Sequence, residues 1–405
     1  MKHFLLIIFL FIFCCSSSLI AQDYSATVID SKGDKVAFAH VFFNNEQARG
    51  SITNEAGEFT IYVKPENEKD SLVISILGYK TKFINYADIG KYDNTITMQS
   101  SNVQLNEVVI LSDTYLKSIL KEAIAAIPQN YPKEKFLVKA YYQEYTISDS
   151  EYSEMIEADI AMVSDGYIKN GALQKVYLNQ LRKTEDNRLI PDRLRTDRNM
   201  VITLLNSNTL LNRSFAKYKR YNKASITPEE FISDVDQLRN ISVHSQQVQD
   251  QDTILTIKFS DPIFKSIFNV NSSLSESLFV LVSINLSTKA FVRIIHGDVW
   301  SDEADFREIV FRNVDGIYYP SYMRDVTNWE YEKRTLKHYN SRNLFFYELV
   351  KGKDNIKKYK KGKKMNIEKG LRLIHKKTNE NFWSQYAYAN NLPAATIIRS
   401  KFGIK

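Results

Sequence analysis

Short runs of period-2 alternation, separated by turns of glycine with aspartate or asparagine, confine residues 24–110 to an all-β fold. Phe59, Ile61 and Val63 alternate with Thr60 and Tyr62, the pattern of a strand with one face in a core. Leu72, Ile74 and Ile76 repeat it. Thr27-Val28-Ile29, the set Val36, Ala39, Val41 and Phe43, and the pair Ile96 and Met98 supply further strands. The interruptions are chemically specific. Asp30-Ser31-Lys32-Gly33 joins an Asx side chain, able to bond its own backbone, to a glycine that tolerates positive φ. Within residues 50–59, Asn54 can close a turn and Gly57 can reverse the chain. Gly78-Tyr79 ends another run. Several short strands at this spacing predict a β-sandwich.

The same residues resemble a known family. Val28, Asp30, Gly33, Ala39, Val41, Gly50, Thr53-Asn54, Gly57, Phe59, Ile74-Ser75 and Gly78-Tyr79 match the pattern of the carboxypeptidase-like regulatory domain of Bacteroidota envelope proteins. Ala26 and Lys35 stand where that pattern has glycine and proline, both at strand edges. The resemblance implies a transthyretin-like sandwich of about seven strands. It also implies a structural or docking module with no active site of its own.

The address is read from the start of the chain. Lys2 and His3, an apolar run over 4–13, and small residues leading to Leu19-Ile20-Ala21 make residues 1–22 a signal peptide. The run is too short to span a bilayer well, and no later segment has the length of a spanning helix. An exported protein, periplasmic or associated with the outer membrane, is expected. Both cysteines, Cys14 and Cys15, lie inside the signal. Simple cleavage leaves no thiol for a disulfide, a metal or a nucleophile. Cleavage before either cysteine would instead make a lipoprotein.

Beyond the sandwich, assigned to 23–111, the sequence divides into a linker helix (112–133), an antiparallel β-rich domain (134–350) and a basic C-terminal stretch with a final helix (351–405). In the linker, Leu116, Ile119, Leu120, Ala123, Ile124 and Ile127 share one face. Asp113 or Thr114 can cap it and Pro128 stops it. The exit strand 104–110 precedes it. Residues 136–145, 152–162 and 176–181 read as strands. Residues 199–221 are ambiguous, and Thr227-Pro228 opens a helix. Leu255, Ile257 and Phe259 then alternate, and 278–286, 291–295, 306–314, 317–322 and 344–350 follow with short turns between most of them. That order predicts a meandering antiparallel sheet. The whole chain is therefore expected to be mainly β, a β-rich α+β protein. Lys139-Ala140-Tyr141-Tyr142-Gln143-Glu144, Met155-Ile156-Glu157-Ala158 and Leu178-Asn179-Gln180-Leu181-Arg182-Lys183 are similar to a Bacteroidota group in which such a region follows the sandwich. The meander also resembles the curved half-barrel of lipoprotein carriers and outer-membrane biogenesis proteins.

Charge is local. The chain of 405 residues carries a net +7, yet residues 351–377 alone carry twelve Lys/Arg against two Asp/Glu. Lys357, Lys358, Lys360, Lys361, Lys363 and Lys364 form the centre of this segment. It either lies solvated or meets an anionic surface such as lipid headgroups. Export argues against nucleic acid. Asn379 can cap a last helix whose Phe382, Trp383 and Tyr386 dock on the sheet.

The residue types of known catalytic and metal sites occur, but not in their spacing. His40, His244, His296, His338 and His375 stand singly. Ser118-Ile119-Leu120-Lys121 and Ser214-Phe215-Ala216-Lys217 both match Ser-x-x-Lys without its companion elements. Glu157 and Asp159 should share a strand face opposite Glu154, as a solvent-facing row. Asp302, Glu303 and Asp305 lack the glycine of a calcium loop. No catalytic residue, cofactor or metal ligand is assigned, and the protein is expected not to be an enzyme. Three functions stay open. One is an envelope scaffold whose sandwich docks to a protein partner or surface. Another is a carrier whose half-barrel cradles an apolar ligand against residues such as Phe259, Leu281 and Phe291. The third is a hydrolase with an unrecognised site.

Overall fold

The computed structural model describes residues 22–101, 111–148, 151–164, 166, 175–184, 235–260, 278–298, 305–331, 336–359, 363–364, 371, 374 and 376–384. The signal segment, the exit strand, the ambiguous stretch at 199–221, Thr227-Pro228, Ser214 and Lys217 lie outside them. The protein is mainly β, as its alternation predicts, and is built on three sheets.

Two of the sheets form the sandwich. β4 (Glu58–Val63), β1 (Gln22–Asp30) and β7 (Thr95–Met98) make one, and β3 (Gly50–Ile52), β2 (His40–Phe43), β5 (Ser71–Ser75) and β6 (Lys82–Asn85) the other. Val28, Val41, Phe59, Leu72, Ile74 and Ile96 fill the space between them. The turns use the expected chemistry. Asp30 Oδ1 accepts from the amides of Lys32 and Asp34, and Asn54 Oδ1 from those of Ala56 and Glu58. Gly57 has φ +72°, and a Cβ there would sit 2.3 Å from the Val28 carbonyl oxygen, so only glycine fits. β3 and β6 are too short for a clear period; in β6 only Ile84 is buried, while Phe83 faces solvent.

The third sheet has eleven strands. β8 (Phe136–Ser148), β9 (Glu151–Ser164) and β10 (Lys175–Lys183) form one part. The other is β11 (Arg239–Gln249), β12 (Asp252–Ser260), β13 (Leu278–Asn285), β14 (Phe291–Asp298), β15 (Asp305–Val314), β16 (Ile317–Tyr331) and β17 (Leu336–Lys351). β11 to β17 follow one another as a meander. β17 then pairs with β8, from His338–Ser148 to Lys351–Phe136, which joins the parts. β18 (Lys363–Lys364) closes the edge beside β10. The hairpin turns at Asp250-Gln251 and Asp315-Gly316 have positive φ throughout, as tight β-hairpins require.

One face of this sheet is apolar across its whole width. Val243, Ile257, Val282, Ile294, Ile309, Met323, Leu344, Tyr142, Ala158 and Leu181 are successive cross-strand partners, and all belong to or pack on the main core. Helix α1 (Asp113–Ala125) lies against it through Leu116, Ile119, Leu120, Ala123 and Ile124. Its cap is Ser112, whose hydroxyl accepts from the Tyr115 amide, and not Asp113 or Thr114: the chain is already helical at Asp113. Pro128 does not end the helical segment. It lies in the first turn of α2 (Ile127–Asn130), where its missing N–H costs nothing. No helix among the described residues is long and apolar enough to cross a membrane.

Two residues along from that apolar row lies a row of alternating charge. Arg307, Asp325, Arg342 and Glu144 are also successive cross-strand partners. Arg307 Nε donates to Asp325 at 2.7 Å, Arg342 Nη1 to Asp325 at 2.7 Å, and Arg342 Nε to Glu144 at 3.2 Å. Burial acts to raise the Asp325 pKa, but the two guanidiniums outweigh it and hold the carboxyl below its ordinary value. Breaking a buried pair leaves an uncompensated charge. Arg342→Met is therefore expected to destabilise the protein by about 3–5 kcal/mol in urea unfolding. A loss under about 1 kcal/mol would show that the row is not held as described.

Candidate functional site

The opposite face of the large sheet is covered by the sandwich, and the site lies between them. Strand alternation in β2 sends Val41 and Phe43 into the sandwich core and leaves His40 and Phe42 facing the sheet. Three anchors hold the two layers. At the first, the Phe38 ring stacks on Tyr322 with centroids 4.7 Å apart, and the Arg324 guanidinium lies over both Phe38 and Phe306. The Tyr145 hydroxyl donates to Glu55 at 2.9 Å there, and Arg324 reaches the same carboxylate. Phe38 has φ +64°, a strained conformation for a bulky side chain that is held by this stacking. At the second, the Leu349 amide donates to the Ala48 carbonyl at 2.8 Å and Arg49 pairs with Glu348. At the third, the β11–β12 hairpin reaches across. Asp250 accepts from the amide and hydroxyl of Thr81, and Gln249 donates to Ser75.

Between the anchors a cleft of about 620 Å³ remains. Its sandwich wall is Phe38, His40, Phe42, Ile76 and Leu77. Its sheet wall is Phe279, Leu281, Ile295, Phe306, Val310 and Tyr322, with Arg293, Glu308, Arg312 and Arg324 among them. Phe279 lies over Gly297, where a Cβ would fall 2.2 Å from the ring. That glycine therefore shapes the wall. Arg293 and Glu308 neutralise each other at 2.5 Å. His40 is only 8% exposed, and among the described residues neither ring nitrogen has a hydrogen-bond partner. Burial, reinforced by the Arg312 charge, lowers its pKa to about 3.

The carrier expectation placed the cavity elsewhere. Leu281 does line the cleft, but Phe259 and Phe291 point to the other face and are packed solidly in the main core. The expected solvent-facing carboxylate row is also corrected. Glu157 and Asp159 do share a face and Glu154 takes the other, yet all three are buried, because both faces of the sheet are covered. Arg182 donates to Glu157 at 2.5 Å and stacks on Trp383; Tyr347 and Asn179 donate to Asp159. Trp383 belongs to α4 (Glu380–Ser384), whose Phe382 amide donates to Asn379 Oδ1.

The remaining candidates fall apart in space. The Ser118 hydroxyl donates to the Tyr115 carbonyl, and Lys121 pairs with Asp236. His244 is exposed, whereas His338 is buried with Nδ1 2.9 Å from Ser148 Oγ. His375, Asp302 and Glu303 lie outside the described residues, and Asp305 begins β15. Among the described residues no group of three or more His, Cys, Asp or Glu is placed to hold a metal. Of the lysine segment, Lys357 and Lys358 are exposed on α3 (Lys353–Tyr359), and Lys363 and Lys364 form β18. Lys360 and Lys361 lie outside the described residues. Sequence reasoning placed His40 among the single histidines and gave it no role. Its one signal was the aromatic Phe42 two residues on, at a position that a solvated strand face would make polar.

Residues 24–110 match the family model described as the CarboxypepD_reg-like domain. The match covers the sandwich, in agreement with the turn and strand residues that suggested it. No curated protein matches the chain. Among solved structures, the chain is similar to a putative outer membrane lipoprotein-sorting protein domain from Vibrio parahaemolyticus, at 10% identity over 62% of this chain and 99% of that one, TM-score 0.25. It is also similar to a LolA superfamily protein from Nitrosomonas europaea (10%, 61% and 97%, TM-score 0.19). A third is the Mycobacterium tuberculosis lipoprotein LppX (8%, 57% and 94%, TM-score 0.20). Likenesses this weak carry no functional information.

The histidine makes a pH prediction. The unfolded chain takes up the His40 proton below about pH 6.5, the folded protein only near the lowered value, so the unfolded state binds more protons between the two. Stability from neutral His40 is complete above pH 6.5 and is lost as pH falls toward 3. Against His40→Gln, the wild type should lose up to about 1.4 kcal/mol more per pH unit in that window. Parallel urea midpoints at pH 7 and 4.5 would contradict the burial of this ring.

Proposed function

We propose that the protein is a non-enzymatic, ligand-binding protein of the cell envelope that holds an amphipathic small molecule between its sandwich and its large sheet. The cleft carries this reading. Its volume falls within the range of ligand sites, roughly 300–1,000 Å³, and it has their make-up: apolar and aromatic walls with a few placed polar groups. The site takes residues from both layers, so the sandwich acts as half of a binding site. A pure scaffold reading is less well supported, because one face of the sandwich is already docked to the chain's own sheet. The envelope address rests on the signal-like residues 1–22 and on the sandwich family.

Native mass spectrometry of the mature protein, purified gently from the envelope fraction and then extracted with organic solvent, tests this. A small molecule bound at one per chain is expected. It should bind more weakly in Leu281→Trp, whose larger side chain narrows the cleft, with the melting temperature kept within a few degrees. A bare wild-type protein that also fails to take up an apolar fluorescent probe would overturn the reading.

A further inference from the structure

His40 is a cleft residue whose ring finds no hydrogen-bond partner among the described residues. His40 sits in the middle of β2, opposite Ile52 on β3 and Ser75 on β5, so the ladder fixes its backbone and aims its ring away from the sandwich core. The ring lines the cleft, and both its nitrogens are buried without a partner among the described residues. A buried polar atom left without a hydrogen bond is costly, and native folds keep few of them. A neutral imidazole offers one donor and one acceptor. The charge that acts on it is that of Arg312, whose Nη2 donates to the Ala48 carbonyl at 3.3 Å. The field at the ring is therefore positive, and it favours an electron-rich, negatively charged group there. Phe42, Phe279 and Leu281 give the cleft an apolar stretch. The polar mouth at Asp250 and Gln249 is already occupied by the hairpin anchor.

We propose that His40 is the recognition residue of the cleft and that its ligand is an anionic amphiphile. The ligand's oxygen-acid end accepts a hydrogen bond from the imidazole beside Arg312, and its hydrocarbon body lies along Phe42, Phe279 and Leu281. This rests on the cleft being a ligand site. A carboxylate and a phosphate monoester share the required chemistry, and the experiment separates them.

The mature full-length protein is titrated calorimetrically with dodecanoate, dodecyl phosphate and dodecanol, each below its micelle concentration. At least one anion is expected to bind about tenfold or more tightly than the alcohol, the worth of a hydrogen bond to a charged group; whichever anion is preferred names the headgroup. His40→Phe should remove that preference, so that acid and alcohol bind alike, while His40→Gln, which keeps a donor, should retain part of it. Melting temperatures check that each variant folds. Equal affinity for acid and alcohol, or a preference that survives His40→Phe in a folded variant, would overturn the role of His40 and leave the cleft as an apolar site. Absence of binding by all three probes would remove the ligand site itself.

Discussion

A single sheet covered on both faces governs this structure. Strand side chains alternate between faces, and the central strands of the large sheet are buried on both, with the sandwich lying over one of them. Most described positions on β8, β9, β16 and β17 are therefore buried, and are apolar or paired within the protein. This accounts for the run of buried residues in β8. It accounts too for the density of buried tyrosines, whose rings fill space while their hydroxyls find carboxylates: Tyr141 with Glu157, Tyr142 with Glu144, Tyr347 with Asp159.

The same constraint explains why charge is arranged as rows. Taking an ion out of water costs several kcal/mol, and a buried pair seldom gains that back in full. Placing Arg307, Asp325, Arg342 and Glu144 as successive cross-strand neighbours lets each internal charge touch two of opposite sign. The row therefore specifies register more than it adds stability: a slip of one residue in any strand turns its charge to the other face. On the cleft side the compensation is incomplete at His40, whose ring nitrogens find no partner among the described residues.

Much of this was legible in the sequence. Gly33, Asn54 and Gly57 carry local turn chemistry that no tertiary context has to supply, and the alternation at 59–63 and 255–259 survives because those strands keep one polar-leaning face. Reading failed where both faces are covered. Glu154, Glu157 and Asp159 look like a solvent row by residue type, and only the layers that cover them make them buried. The cleft could not be read either, since it is made by two segments about 240 residues apart at His40 and Leu281 and neither half carries a motif. Register between β17 and β8 is likewise a long-range fact, with nothing local in either strand to announce its partner.

That pairing bears on how the chain is made. Ser148 and His338 are 190 residues apart, so β8 leaves the ribosome long before β17 exists. Until then β8 presents an open edge, the kind of surface that recruits other chains. Lys139 and Glu144 lie along that edge. Inward-pointing charges are a common means of keeping an unpaired strand from adding a stranger, because only the cognate neighbour brings the matching partner: Glu348 for Lys139 and Arg342 for Glu144. The ions that are costly to bury in the finished sheet thus act during synthesis as a lock on its last seam.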